Sequence, residues 1–416
     1  MRILRKGPLR SPRSSPQALE RKALAEVRAV EKRGDQALGR EGQVGRAPLQ
    51  VEPSSLRRAF NRLTPRNRAA LEAACRHLGA LARRELASLR EFDLRPTQGL
   101  TVFHRRVPLG RVGLLVPPGR VSPLLQIAIP AAVAGVPERA LCAAPGPDGT
   151  IDENLLAAAY MCEIKEIYAV GGARAVAALA YGTATIRPVQ RILGSGDLSV
   201  RLAKRAVASH LSVDEGDFPT ELLVLADDTA SAELVAADLL AQAELDSEAD
   251  CALVTTSEAV AHRVQAELRL RAKALSPDDP ARGPISRARV LVASDMQSAV
   301  AHVNDYAPQR LSLQVVRPDD LVGSLRGYGA LFVGAQSPAC LAEYVGGGRA
   351  APSGGPGRGQ GVLDLASLRP PVVALQVDPS AYLRLSRVAA TLADLDGRRH
   401  ARRAMDIRVF KPAQGR

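Results

Sequence analysis

The sequence predicts an α/β protein whose sheets are mostly parallel and carry helices on both faces. Short apolar runs of strand length alternate with helical segments along most of the chain, and this alternation is the pattern of a parallel sheet. It occurs in two successive series. At 416 residues the chain also exceeds the size at which one core usually stops growing, so two α/β domains are expected.

Taken in order, residues 19–38 have a helical pattern and are heavily charged, and a second long helix covers residues 67–89. Its apolar stripe is Leu71, Ala74, Leu78 and Leu81. The first β–α series then begins. VGLLV (112–116) reads as a strand, PLLQIAIPAAVAGV (123–136) as a helix and RALCAA (139–144) as a strand. ENLLAAAYMCE (153–163) is helical, EIYAVG (166–171) a strand and ARAVAALAYG (173–182) a helix, before RILGSGD and the helix of LSVRLAKRAVA. The second series runs through ELLVLAD (221–227), SAELVAADLLAQAEL (231–245) and CALVTT (251–256). A helix carrying Val264 and Leu268 follows, then ARVLVAS (288–294), SLQVV and GALFVGA. In NDYAPQRLSLQ (304–314), a turn leads into Leu311, Leu313 and Val315 alternating with polar residues, the pattern of a half-buried strand. The glycine-rich segment at 346–361 reads as a loop or crossing segment, and the rest of the chain as a helical arm.

Composition excludes several function classes. The net charge is +13, but the excess arginine is spread along the chain and interleaved with acids. Aromatic residues make up 3% and Trp is absent, so a nucleic-acid platform is not expected. Five scattered cysteines, none in a CxxC pair, suit reduced thiols in a cytoplasmic protein. Residues 1–18 are basic, rich in Pro and Ser and without the apolar core of a secretory signal, so a disordered tail is expected. No run reaches transmembrane length, and no membrane partner is expected.

Glycine-containing turns at strand ends, VPPGR (116–120), VGGAR (170–174) and LGSGD (193–197), are the candidate phosphate cradles, although none has the GxGxxG spacing. A set of longer motifs is more specific. VEKRGDQAL, IPAAVAGV, AVGGARAVAALAYGT, FPTELLVLADDTA, LVAADLLAQAEL, NDYAPQRLSLQ and GALFVGAQSPACLAEY occur in this order. Over residues 19–409 the chain resembles the histidinol dehydrogenase family. The resemblance implies a homodimer of two incomplete Rossmann-like domains, with helical N- and C-terminal arms that cross between subunits. It divides the chain into a first domain of residues 19–113 with 222–365, an inserted second domain of 114–221, and a dimerisation arm of 366–416. It also implies a two-step, NAD-dependent oxidation of L-histidinol to L-histidine, with zinc positioning the substrate.

At the implied site, however, the chain departs from the family pattern. The family's catalytic Glu-His pair is Gln309-Arg310 here. An amide does not titrate and arginine stays protonated, so neither residue is a general base. His302, the nearest histidine in sequence, is the candidate for a compensating base. Of the implied zinc ligands, Gln242, Glu343 and His400 have counterparts, with Glu343 standing for an Asp, but Leu245 occupies the remaining ligand position. Gln242 then reads as a helix-surface residue and Leu245 as a core residue. At the cofactor positions the family's Tyr, Gln and Asn are Leu115, Arg174 and Asp197, and Pro118 removes an N–H from the turn. Arg174 and Asp197 are placed to pair with one another. Thr220 replaces a substrate-contacting Ser. Two readings follow. In the first, the chain keeps the fold without the reaction and serves in assembly as a homodimer or with an intact paralogue. In the second, it is an active dehydrogenase with an unusual site, Arg310 clamping an acidic substrate.

Overall fold

The computed structural model describes residues 2–4, 17–39, 49–214, 220–346 and 365–410. The glycine-rich segment beyond Gly346 and most of the basic tail lie outside these residues. The chain opens with β1 (Arg2–Leu4), α1 (Gln17–Arg33), α2 (Pro53–Arg62) and α3 (Pro65–Ser88). Next come β2 (Phe92–Thr97), β3 (Leu100–Arg106), β4 (Arg111–Val116), α4 (Val121–Val133), β5 (Glu138–Ala143) and α5 (Glu153–Met161). The first series ends with β6 (Glu166–Tyr168), α6 (Gly172–Tyr181), β7 (Arg191–Gly194), α7 (Leu198–Val207) and β8 (Ser212–Val213). The second comprises β9 (Glu221–Ala226), α8 (Ala232–Ala243), β10 (Asp250–Thr255), α9 (Glu258–Ala274), α10 (Arg282–Arg287) and β11 (Arg289–Val292). It continues through α11 (Met296–Tyr306), β12 (Arg310–Gln314), α12 (Asp319–Val322), β13 (Ala330–Val333) and α13 (Ala342–Val345). Last are β14 (Pro371–Val377), α14 (Pro379–Leu395) and α15 (Arg399–Phe410).

These elements form two compact units, Met1–Glu85 with Leu109–Leu365, and Leu86–Pro108 with Ala366–Arg416. The larger unit contains two parallel sheets, as the β–α alternation predicts. One has five strands in the order β6-β5-β4-β7-β8, and the other six in the order β1-β11-β10-β9-β12-β13. In each, the first strand of the series (β4 or β9) lies inside the sheet and the chain winds outward to both sides. Both central strands are buried along their whole length because helices cover both faces. The five-stranded sheet packs α1, α6 and α7 around Leu115, Val176, Leu179 and Ile192.

Three details differ from the sequence reading. Arg2–Leu4, assigned by composition to the disordered tail, extends the six-stranded sheet as a parallel edge strand beside β11. Residues 310–314 are fully buried instead of half-buried, because β9 and β13 flank them. Their alternation of Leu with Ser312 and Gln314 therefore marks a face where polar side chains are buried with partners, since Gln314 Nε2 donates to Ser312 Oγ. In the smaller unit, the C-terminal segment begins with a strand before its helices. β14 joins β3 and β2 in an antiparallel sheet that the sequence reading did not contain. No helix among the described residues is long and apolar enough to cross a membrane.

Candidate active site

A cavity of about 440 Å³ opens at the carboxyl ends of the five-stranded sheet. It lies where the strand order reverses between β4 and β7, the usual ligand crevice of an open α/β sheet. The β4–α4 turn supplies Leu115, Pro118 and Arg120, and the β7–α7 turn supplies Ser195, Gly196 and Asp197. Its other wall comes from the amino ends of strands in the six-stranded sheet, namely Thr220 before β9 and Gln309 and Arg310 at the start of β12. Leu245 and Glu343 complete the set of sequence-predicted residues that line it. Gln242 stands behind them, hydrogen-bonded to Arg310. Arg174 lines a separate neighbouring cavity. His400 belongs to the smaller unit, on α15, and is exposed.

Local structure explains how residues 309 and 310 reach this wall. Ala307 ends α11 in the left-handed region (φ 49°), at a cost of about 1–2 kcal/mol for a residue with a Cβ, and turns the chain into β12. The Glu221 N–H then donates to Gln309 Oε1 at 3.2 Å, fixing that amide between β9 and β12. Arg310 Nη1 donates to Gln242 Oε1 at 3.1 Å and to Glu343 Oε1 at 2.7 Å. Gln242 is only 2% exposed, so it is a buried member of this cluster and not a helix-surface residue. Leu245 is half-buried at the cavity wall and not in the core.

Among the described residues, every carboxylate that lines the cavity is already engaged. Asp197 caps α7, accepting from the Val200 N–H at 3.0 Å and from Ser199 Oγ at 2.6 Å. Asp214 pairs with the buried Lys204 at 2.7 Å and accepts from the Gly194 N–H at 2.6 Å. Asp246 pairs with Arg201, and Glu343 with Arg310. Burial pushes the Cys142 thiol, which also lines the cavity, well above its ordinary value. Among the described residues no histidine lines it, His302 included; that residue sits half-buried on α11. The expected pairing of Arg174 with Asp197 is not formed. Arg174 instead donates to the Gly39 carbonyl and lies 3.7 Å from Glu26 of α1.

Neither implied cofactor is matched by these residues. Zinc needs three or four good donors, yet Gln242 Oε1 and Glu343 Oε1 both accept from the Arg310 guanidinium, whose charge would oppose a metal beside them, and Leu245 offers none. No group of three His, Cys, Asp or Glu side chains suited to a metal occurs among the described residues. A dinucleotide phosphate fares no better. Pro118 has no N–H to give it, and the N-terminus of α7 is already capped by the Asp197 carboxylate, which would repel an anion.

The sequence reading missed the Lys204–Asp214 and Arg201–Asp246 pairs and the Gln126 side chain, whose Nε2 donates to the Glu343 carbonyl at 2.6 Å. A signal for Lys204 was present, because it falls on the same helical face as Val200, Ala203 and Val207, all buried.

Residues 10–409 match the histidinol dehydrogenase family model. A histidinol dehydrogenase from Deinococcus radiodurans is 36% identical over 406 residues, covering 95% of this chain and 92% of that protein. One from Geobacillus kaustophilus is 34% identical over 411 residues, covering 94% of each. The crystal structure of histidinol dehydrogenase from Elizabethkingia anophelis superposes with a TM-score of 0.88 at 23% identity, covering 99% of this chain and 98% of that one.

Proposed function

The chain belongs to the histidinol dehydrogenase family, and we propose that it keeps the family's architecture without catalysing the oxidation of L-histidinol. One observation carries this reading: among the described residues that line the cavity, none is a histidine or an unengaged carboxylate. Gln309 and Arg310 replace the acid/base pair, the four carboxylates are held in ion pairs or a helix cap, and burial pushes the lining Cys142 thiol up. Loss of a positioned proton carrier alone costs about 10²–10⁴ in rate. Leu245 also stands where a further zinc donor would be needed, and Pro118 and the Asp197 cap take away two of the three candidate phosphate cradles. Reading Arg310 as a clamp for an acidic substrate is disfavoured, because Glu343 already neutralises it.

The role we assign is assembly, as a homodimer in the cytoplasm. The smaller unit supports it by leaving large apolar side chains in water on its strand and helices, among them Val373, Leu375, Val388 and Leu395. Its three-stranded sheet has β14 exposed along most of its length, a face that a second copy would cover. Five free thiols fit a reducing compartment.

The test is NADH formation by the purified full chain with L-histidinol and NAD, with and without added zinc, beside an ordinary family member. We expect no turnover above the blank, and rates comparable to the control enzyme would overturn the reading. Sedimentation should give twice the 44.1 kDa chain mass, whereas a monomer would end the assembly role.

A further inference from the structure

Arg310 does more than displace a catalytic base. Its Nη1 donates to two oxygen acceptors from different helices, Gln242 Oε1 of α8 at 3.1 Å and Glu343 Oε1 of α13 at 2.7 Å. All three side chains are largely withdrawn from water. Resting on the family reading above, we propose that the Arg310 guanidinium is a resident cation: it occupies the place of a metal between Gln242 and Glu343 and holds the cavity wall together without one.

The chemistry of the group suits this role. A guanidinium is permanently charged, less strongly hydrated than an ammonium, and presents several donors in a fixed plane. It therefore satisfies an amide oxygen and a carboxylate together, and no chelator removes it. The link reaches beyond the cluster, because the Glu343 carbonyl accepts from Gln126 of α4 at 2.6 Å. Through Arg310 and Glu343, a strand of the six-stranded sheet is tied to a helix of the five-stranded layer across the cavity. Arg310 is thus a positioning residue whose partners lie 68 and 33 residues away in sequence. The same arrangement excludes zinc, which would need those two oxygens at about 2.0–2.2 Å and a further donor where Leu245 stands.

The test combines metal analysis with thermal unfolding of the full chain, with and without chelator or added zinc. After zinc loading and desalting, the wild-type chain should hold far less than one zinc per chain, and its midpoint should not move with chelator. Arg310→Met should lower the midpoint by several degrees, because it strands Glu343 as an unpaired buried carboxylate. Arg310→Met with Glu343→Gln should recover most of that loss, since the unpaired charge is gone. If Arg310→Met alone fails to fold, folding of the double variant supports the resident cation and its failure counts against it. Stoichiometric zinc with a chelator-sensitive midpoint in the wild type would overturn the inference, as would an unchanged midpoint in Arg310→Met. Metal-free NADH formation would end the function reading and leave this inference standing. Zinc retention would end this inference whatever the activity assay gives.

Discussion

The two parallel sheets of the larger unit wind outward in the same way, yet the crevice where strand order reverses holds a cavity in one and is bridged by hydrogen bonds of Asp227 in the other. Between β4 and β7 the chain leaves the sheet through turns containing Pro118, Gly119, Ser195 and Gly196, and the cavity lies there. Between β9 and β12 a single side chain straps the ends together. Asp227 accepts from the Val316 N–H at 2.8 Å and the Thr229 N–H at 3.0 Å, and its own N–H donates to the Gln314 carbonyl. Topology therefore offers two crevices, and the residues at the strand ends decide which becomes a site. The six-stranded sheet contributes through its other edge instead, with Thr220, Gln309 and Arg310.

Substitutions at the strand ends should break this comparison in graded ways. The largest effect is expected for Lys204→Met. Lys204 is 1% exposed and bonds Asp214 and the Gly194 carbonyl, pinning the β7–α7 turn. Removing it leaves a buried carboxylate unpaired, at a cost of about 3–5 kcal/mol in denaturant unfolding. Gly194→Ala should follow at about 3 kcal/mol, because Gly194 has φ +106° and a Cβ would stand 1.9 Å from the Leu115 carbonyl oxygen. Gly119, at φ +66° with open space around it, is the control: Gly119→Ala should cost about 1–2 kcal/mol from conformation alone. Equal losses at the two glycines would mean that the β7 turn is not closely packed. At the β9–β12 end, Asp227→Ala should cost about 1–3 kcal/mol by removing the charged acceptor of two partly buried N–H groups. Faster amide exchange confined to the ends of β9 and β12 would localise the strap.

Acid titration should separate the two layers by sign, with the smallest effects. In the five-stranded layer, Arg111 beside Glu166 holds that carboxyl down at about 2. A depressed folded value stabilises above the unfolded one, 4.5, and that contribution is lost as pH falls from there through about 2. On α8, burial pushes Asp238 up to about 6, from 3.8. Its neutral form is favoured on folding, so its contribution weakens as pH rises through that interval. Asp238→Asn should therefore flatten the midpoint between pH 4 and pH 6, whereas Glu166→Gln should flatten it below 4.5. A pH profile untouched by Asp238→Asn would show that this carboxyl titrates normally.

Much of the scaffold was legible in the sequence. Both β–α series stand where the apolar runs placed them, since a strand buried on both faces must be apolar over several consecutive residues. Motifs of eight or more residues, in order, carried the family. The antiparallel sheet was not legible. FDLRPT and LTVFHRR are short and mixed in polarity, and β3 finds its partner β14 more than 260 residues later, as the Arg106–Arg369 contact shows. Within the site, residue identity was enough to remove the base from 309 and 310, because an amide and a guanidinium cannot accept that proton in any fold.

Partnership was a different matter. Local spacing placed Gln242 on a helix surface and paired Arg174 with Asp197, and neither holds. The sequence by itself determined the strands and helices of the two β–α series, the family and the want of a titratable side chain at 309 and 310, because those depend on side-chain chemistry and short-range period. Only the tertiary structure decided that Arg310 meets Gln242 and Glu343, that Asp197 caps its own helix and that Asp227 bridges the ends of β9 and β12. Buried polar groups must be satisfied by whatever the fold brings within hydrogen-bond reach, and chain separation does not encode that distance.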